Sequence, residues 1–325
     1  MKSPLVTPEM KAQFEEEGYL VVNGILDDAT IQAVTEDYSA KLDEVARLWQ
    51  SQGKLSNLYR ELPFGERLVK ITGEAKLSWS QHFDISLPQA GVKHDTPFHT
   101  SKAIFDLLTH PRLLDVAETF VGPEIYSNPI QHTRIKPPER LLGKDALNGL
   151  NAKVGWHQDQ GVALTEQDEV PVLTVWLAIT DANEENGCLC VVPRSHRPLE
   201  LKSHCPGIGL GGALEVPAKL VTEESIPVPV RRGGALLLHR RTLHSSLANR
   251  SDRIRWSFDL RYQPTGLPTG RPAFPGFVAR SPKNPGSELK DWRQWAQSWA
   301  DTRTRIANEG MPKFNRWDAS APVCA

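Results

Sequence analysis

The segment Gly155-Trp156-His157-Gln158-Asp159 sets an imidazole and a carboxylate two residues apart. On a strand, residues i and i+2 project from one face, so His157 and Asp159 can reach a single ion if another donor arrives from elsewhere in the chain. Two imidazoles and one carboxylate on one side of a metal leave three adjacent coordination positions open, the arrangement of non-haem Fe(II) oxygenases. The pair alone leaves the choice open, because a His and an Asp so spaced also make a hydrogen-bonded pair or a solvent-facing polar edge. Cys188-x-Cys190 has no second Cys pair at zinc spacing and reads as alternate residues of a buried strand.

Residues so used need a scaffold. Thr7-Pro8-Glu9 writes a helix start, since Thr caps free amides and Pro tolerates the first helical position, and Gly18 supplies the stop. Tyr19 to Val22 with Ile25 and Leu26 reads as a strand. Asp27 and Asp28 open a helix whose apolar face is Ile31, Val34, Tyr38, Leu42, Val45 and Leu48. Residues 50–78 are mixed, and Ala103 to Leu108 and Leu113 to Phe120 form short helices.

From Ile125 the period shifts to two: Ile125-Tyr126, Gln131 to Ile135, Lys153 to His157, Val170 to Thr180, Cys188 to Val192, Ile226 to Val230, Ala235 to His239, Thr242 to Leu247 and Arg253 to Tyr262. Many short strands between Gly, Pro, Asn and Asp clusters, with no helices interleaved, predict a β-sandwich or jelly roll. Residues 264–287 are rich in Pro and Gly, and Leu289 to Ile306, with Trp292, Trp295 and Trp299, closes the chain as a helix. The division expected is one domain over 1–325: a helical part to 124, a jelly-roll core over 125–263, and a Pro/Gly-rich segment with the closing helix over 264–325.

Composition narrows the function. The chain has 325 residues, 39% hydrophobic and 24% charged, which is enough apolar material for a large core. Its 38 basic residues nearly cancel 39 acidic ones, so no basic surface speaks for nucleic acid or an anionic membrane. The longest apolar stretch, Val170 to Ile179, is too short for a spanning helix. The first residues lack a secretory or transit pattern, and four cysteines in so long a chain read as free thiols, so the expected location is cytoplasmic.

The segments Glu16-Gly18-Tyr19-Leu20-Val21-Val22, Lys136-Pro137-Pro138, Trp156-His157-Gln158-Asp159, Val175-Trp176-Leu177-Ala178, Glu185-Asn186-Gly187-Cys188-Leu189 and Pro193-Arg194-Ser195-His196 carry a spread-out pattern. It continues through His244-Ser245-Ser246-Leu247-Ala248-Asn249-Arg250-Ser251 to Arg255 and Tyr262. It resembles the phytanoyl-CoA dioxygenase family of Fe(II)- and 2-oxoglutarate-dependent oxygenases over most of residues 10–265. The resemblance implies a mainly β fold, a double-stranded β-helix (jelly-roll, cupin-like) core buttressed by N-terminal helices and a C-terminal helix. It also implies that His244 completes the metal set with His157 and Asp159, and that Arg255, eleven residues further on, holds the distal carboxylate of 2-oxoglutarate.

A guanidinium suits that task because it binds a carboxylate by paired, charge-assisted hydrogen bonds. Ser246, matching a family Ser, shares a strand face with His244 and can donate to the same carboxylate. Trp176 stands where a family Trp lines the cosubstrate pocket, although a Trp inside a Val/Leu strand equally packs a core. Arg253 shares parity with Arg255 and would replace it if the register slipped. His239 is expected to be structural or at the surface, His196 a hydrogen-bonding or exposed turn residue, and His82, His94 and His99 surface side chains. Substrate contacts are expected from Gln81 to Asp84 or His94 to Thr100, and from the loop after Asp159.

Ser245, Ala248, Arg194 and Cys190 depart from the family's usual Gly, Pro, Gly and Arg. The presence of Asp159 argues against a halogenating relative, in which that carboxylate is missing. The activity implied is hydroxylation of a small organic molecule with dioxygen as second cosubstrate, yielding succinate and carbon dioxide. The alternatives are a non-catalytic jelly-roll binding protein and a zinc-dependent hydrolase using the same three ligands. Neither substrate nor oligomeric state is written in the sequence.

Overall fold

The computed structural model describes residues 4–76, 80–142, 154–197, 201–207 and 214–324. Helix α1 (Pro8–Glu17) starts as its sequence requires: Thr7 Oγ1 accepts a hydrogen bond from Met10 N at 3.3 Å, and Gly18 ends the helix at φ 80°. Strand β1 (Tyr19–Val22) leads to α2 (Asp28–Ser51), capped by Asp27. The helix buries Ile31, Val34, Tyr38, Leu42 and Val45, but next Trp49 instead of Leu48, which is 46% exposed. The buried stripe runs from Leu42 through Val45 and Ala46 to Trp49, as 3.6 residues per turn allow.

Within the expected mixed stretch lies a further amphipathic helix, α3 (Phe64–Ala75), burying Phe64, Leu68 and Ile71. Its start follows Pro63, and its two glycines, Gly65 and Gly73, weaken the local signal. Helices α4 (Ser80–Phe83), α5 (Lys102–Leu108) and α6 (Pro111–Val121) complete the N-terminal layer.

Strands β2 (Ile125–Ser127), β3 (His132–Lys136), β4 (Leu173–Ala178), β5 (Leu189–Val191), β6 (Ile226–Val228), β7 (Ala235–His239), β8 (His244–Ser246), β9 (Arg255–Pro264) and β10 (Phe277–Arg280) form two antiparallel sheets among the described residues. The larger has the order β1-β7-β4-β9-β2-β10 with β3 also on β9, and the smaller is β6-β5-β8. This is the mainly β, jelly-roll arrangement expected. Strand β10 was hidden in the Pro/Gly-rich stretch, where it forms the sheet edge at which Pro and Gly are tolerated. Helix α7 (Trp292–Glu309) packs Trp295 and Trp299 into the main core.

The two faces of the large sheet differ in chemistry. Trp256, Phe258, Leu260 and Tyr262 of β9, with Val175 and Leu177 of β4 and Leu237 of β7, face the helices. There Tyr38 lies 4.8 Å from the Trp256 ring and donates to Phe83 O at 3.1 Å. Alternate residues of β9, namely Arg255, Ser257, Asp259 and Arg261, take the opposite face, as the two-residue period demands.

Two expectations about cysteine and segment shape are corrected. Cys205 and Cys324 form a disulfide, while Cys188 and Cys190 are buried and take no part in it. The pairing joins residues 119 apart and depends on the chain end folding back onto the core, which spacing does not announce. The expected strand Lys153 to His157 begins outside the described residues, and its described part contributes one bridge, His157 to His244. No helix among the described residues is long and apolar enough to cross a membrane.

Candidate metal centre

His157 and His244 face each other across an antiparallel bridge, exchanging both backbone hydrogen bonds at 3.0 Å. Directly opposed residues project to the same side, so the two imidazole centroids come within 4.2 Å. Asp159 does not extend the strand. It opens a short 3-10 helix, Asp159–Val162, and its carboxylate nonetheless turns back beside the imidazoles. Asp159 Oδ1 lies 3.9 Å from His157 Nε2, and Oδ2 lies 4.0 Å from His244 Nε2. One ligand atom from each residue falls within 4.8 Å of the others, the group among the described residues that could hold a metal ion.

The donor chemistry fits a divalent cation. His157 Nδ1 is 3.0 Å from Gly155 O, and His244 Nδ1 is 2.9 Å from Thr242 O. A carbonyl accepts only, so each Nδ1 carries the proton and each Nε2 offers a lone pair toward the carboxylate. Burial, and then the neighbouring His244, push the His157 pKa down to about 3, so that ring is neutral at physiological pH. Burial works against the charge on Asp159, but the guanidinium of Arg261 beside it, the two imidazoles and the Thr174 hydroxyl hold its carboxyl below the usual range. Thr174 Oγ1 donates to Asp159 Oδ2 at 2.6 Å, and Arg261 Nη2 donates to Oδ1. Two lone pairs and an anion converge with no cation between them except Arg261 at one edge.

The group opens into a cavity of about 440 Å³ between the sheets. Its wall includes Trp176, Ser246 and Arg255, together with Gln81 and Asp84. Arg255 is 2% exposed, and its guanidinium stands 5.1 Å from the Trp176 ring. It donates through Nε to Gly187 O at 3.2 Å and through Nη1 to Ser257 Oγ at 2.8 Å. Burial pushes its pKa down to about 10, still far above neutrality. No carboxylate of a described residue pairs with it. Ser246 Oγ accepts from Lys136 Nζ at 2.8 Å and from Val154 N at 2.9 Å, which leaves its own proton to give.

Other singled-out residues lie apart. Arg253 is exposed. The His239 ring sits 4.9 Å from that of His196, away from the metal group. His99 pairs with Asp37 at 2.7 Å and does not line the cavity, His94 is exposed, and His82 is half-buried near Trp49. Of the two N-terminal stretches, 81–84 reaches the cavity and 94–100 does not. Arg261 and Thr174 were missed, although a signal existed: Arg261 shares strand parity with Arg255, and Thr174 with Trp176. His204, whose Nε2 accepts from Gln158 N at 2.9 Å, had no such signal.

Comparison with known proteins places these observations. The model of the family described as Phytanoyl-CoA dioxygenase (PhyH) matches residues 14–257. A zebrafish (Danio rerio) protein, Phytanoyl-CoA dioxygenase domain-containing protein 1, is 25% identical over 274 residues, covering 77% of this chain and 88% of its own. Human "Phytanoyl-CoA dioxygenase, peroxisomal" is 23% identical over 257 residues, 77% of this chain and 66% of its own. Among solved structures, the non-heme monooxygenase ThoJ superposes with a TM-score of 0.57 at 16% identity, covering 92% of this chain and 98% of its own. EvdO2 from Micromonospora carbonacea, complexed with 2-oxoglutarate, gives a TM-score of 0.50 at 16% identity over 89% of this chain and 100% of its own. The structural likenesses concern the fold.

Proposed function

The chain belongs to the phytanoyl-CoA dioxygenase family, and on that premise we propose that it is an Fe(II)- and 2-oxoglutarate-dependent dioxygenase that hydroxylates a C-H bond of a small organic molecule, releasing succinate and carbon dioxide. The observation that carries this reading is the convergence of His157, Asp159 and His244 at a cavity whose wall also holds the buried Arg255 guanidinium, which has no ion pair with the carboxylate of a described residue. A ferrous ion there would supply dioxygen activation coupled to decarboxylation of the 2-oxo acid.

The protein's own residues have definable tasks. His157 and His244 present Nε2, held in that tautomer by the carbonyls of Gly155 and Thr242. Thr174 and Arg261 fix the Asp159 carboxylate from behind. Arg255 keeps Nη2 to offer a carboxylate after its bonds to Gly187 and Ser257, and the Trp176 face steadies its plane. Ser246 donates its hydroxyl proton to the same carboxylate, with Lys136 adding positive charge beside it. Leu87, Ile130, Val162, Leu189 and Leu238 form apolar wall that keeps water from the reacting centre. Gln81 and Asp84, on the helical side, shape the cavity wall, with Gln81 Nε2 bonded to Ser86 O and Pro97 O and the Asp84 carboxylate to His132 and Thr133 N. The whole chain, 1–325, then acts as one oxygenase domain.

The test is formation of succinate from 2-oxoglutarate by the purified protein across a panel of small organic substrates. Succinate that requires Fe(II) and dioxygen and rises with one substrate supports the reading. Metal-dependent hydrolysis that proceeds with Zn(II), without 2-oxoglutarate, would support the hydrolase instead.

A further inference from the structure

Asp159 stands at the head of a turn rather than in a sheet, so something other than a strand ladder must hold it. The five carbonyls that follow it all receive donors from beyond the family match, which ends at residue 257. Gln160 O accepts from Arg316 Nη2 at 3.2 Å and Gly161 O from Trp317 Nε1 at 2.7 Å. Val162 O accepts from Arg271 Nη2 at 2.6 Å. Ala163 O and Leu164 O accept from Arg316 Nε at 2.8 Å and Nη2 at 2.9 Å. The same Arg316 pairs through Nη1 with the Asp168 carboxylate at 2.6 Å, and only 10% of its side chain is exposed.

A second set of contacts seats this C-terminal strap. Trp317 stacks on the His204 ring with centroids 5.1 Å apart and planes 24° apart. His204 in turn accepts from the backbone N of Gln158, the residue between two of the proposed ligands. Gly161 lets the ring come so close, since a Cβ there would lie 2.2 Å from His204. Cys324 is joined to Cys205, next to His204, so both ends of the contact are covalently fastened.

We propose that Arg316 is a positioning residue for the metal site: with Trp317 it clamps the turn that carries Asp159, and the Cys205–Cys324 disulfide keeps the clamp seated. The geometry of the site is thereby set partly by a segment outside the oxygenase core. Short 3-10 segments satisfy their own backbone poorly: Gln160 O and Leu164 O accept from Ala163 N and Gln167 N at 3.3 and 3.2 Å, and Ala163 O has Arg316 as its donor, so loss of Arg316 would let the Asp159 turn relax.

The proposal rests on the reading of His157, Asp159 and His244 as metal ligands, and the experiment separates the two. Full-length protein is titrated anaerobically with Co(II) alone, following the visible spectrum. If wild type binds no Co(II), the metal reading fails; if wild type binds and Arg316→Ala does so equally well, the clamp fails. Arg316→Ala is expected to weaken Co(II) on the order of tenfold, the size seen when outer partners of ligands are lost, and to alter the Co(II) bands. Arg316→Lys should recover part of the loss. Arg280→Ala on β10, which removes ion pairs to Asp115 and Glu118 of α6, should change neither affinity nor bands. Should Arg316→Ala fail to fold, Trp317→Phe removes the donor to Gly161 O and trims the ring stacked on His204, and Cys324→Ser opens the disulfide. Unchanged affinity and spectrum in both would overturn the proposal, and a fall in either with the bands altered would support it.

Discussion

His244 and Asp159 bring donor atoms to within 4.0 Å of each other by unlike means. His244 belongs to β8, in register with Val191 of β5 and bridged to His157, so the ladder that builds the small sheet also aims its imidazole. Asp159 has no ladder. Its carboxylate is held by Thr174 of β4 and Arg261 of β9, and the carbonyls of its turn accept from side chains as distant as Trp317. A sheet delivers a ligand as a by-product of its own pairing, whereas a turn delivers one only when distant residues supply the missing backbone partners.

The contrast can be broken most forcefully by removing a donor from each half. His244→Ala and Asp159→Ala should each weaken Fe(II) by more than about 100-fold, beyond the range of outer-partner changes, as measured by anaerobic calorimetry. Wild-type affinity in either would remove that half from the site. Arg255→Ala should leave metal affinity intact while raising KM for 2-oxoglutarate roughly 10- to 100-fold, from about 1.5–3 kcal/mol of lost charge-assisted bonding. Equal loss of metal and cosubstrate binding would mean that Arg255 only supports the fold.

Thr174→Val keeps the shape of β4 but deletes the hydroxyl on Asp159, so metal affinity should fall about tenfold while stability changes little. Unchanged affinity would show that Arg261 alone holds the carboxylate. The last expectation concerns pH dependence and is read on stability rather than on metal affinity. His157 and His204 are held neutral by burial, with pKa values pushed from 6.5 to about 3 and about 4. Between those values and 6.5 the unfolded chain binds the extra protons, so stability is full above pH 6.5 and declines as pH falls below it. Each imidazole contributes at most about 1.4 kcal/mol per pH unit. Urea midpoints of metal-free protein measured from pH 7 downward check the sign, and a flat profile would mean that both rings accept protons in the folded state.

The strand half was legible in the sequence because a two-residue period fixes faces: β4, β7, β8 and β9 fall where alternation places them, and Ser246 shares its face with His244. The pairing of His157 with Asp159 across two residues pointed to side chains that the structure does bring together, for a reason it revises. His157 is in a bridge, Asp159 begins a turn, and convergence comes from Thr174 and Arg261 rather than from strand parity. The turn half was illegible for the same physical reason that makes it dependent on distant partners. Nothing periodic marks Arg316 or Trp317, and neither the disulfide nor the stacking on His204 leaves a local pattern. Helix α3 and strand β10 escaped notice because Gly, Pro and short length dilute their periodicity, while packing against α2 and β2 makes them form.

The most direct test of the central claim is anaerobic addition of Fe(II) and 2-oxoglutarate to wild-type protein and to His157→Ala, recorded in the visible range. A weak absorption band from the ferrous 2-oxo acid chelate in wild type, absent from the variant, is the result expected if His157, Asp159 and His244 share one iron beside Arg255. A band of equal strength in His157→Ala, or none in wild type, would contradict it.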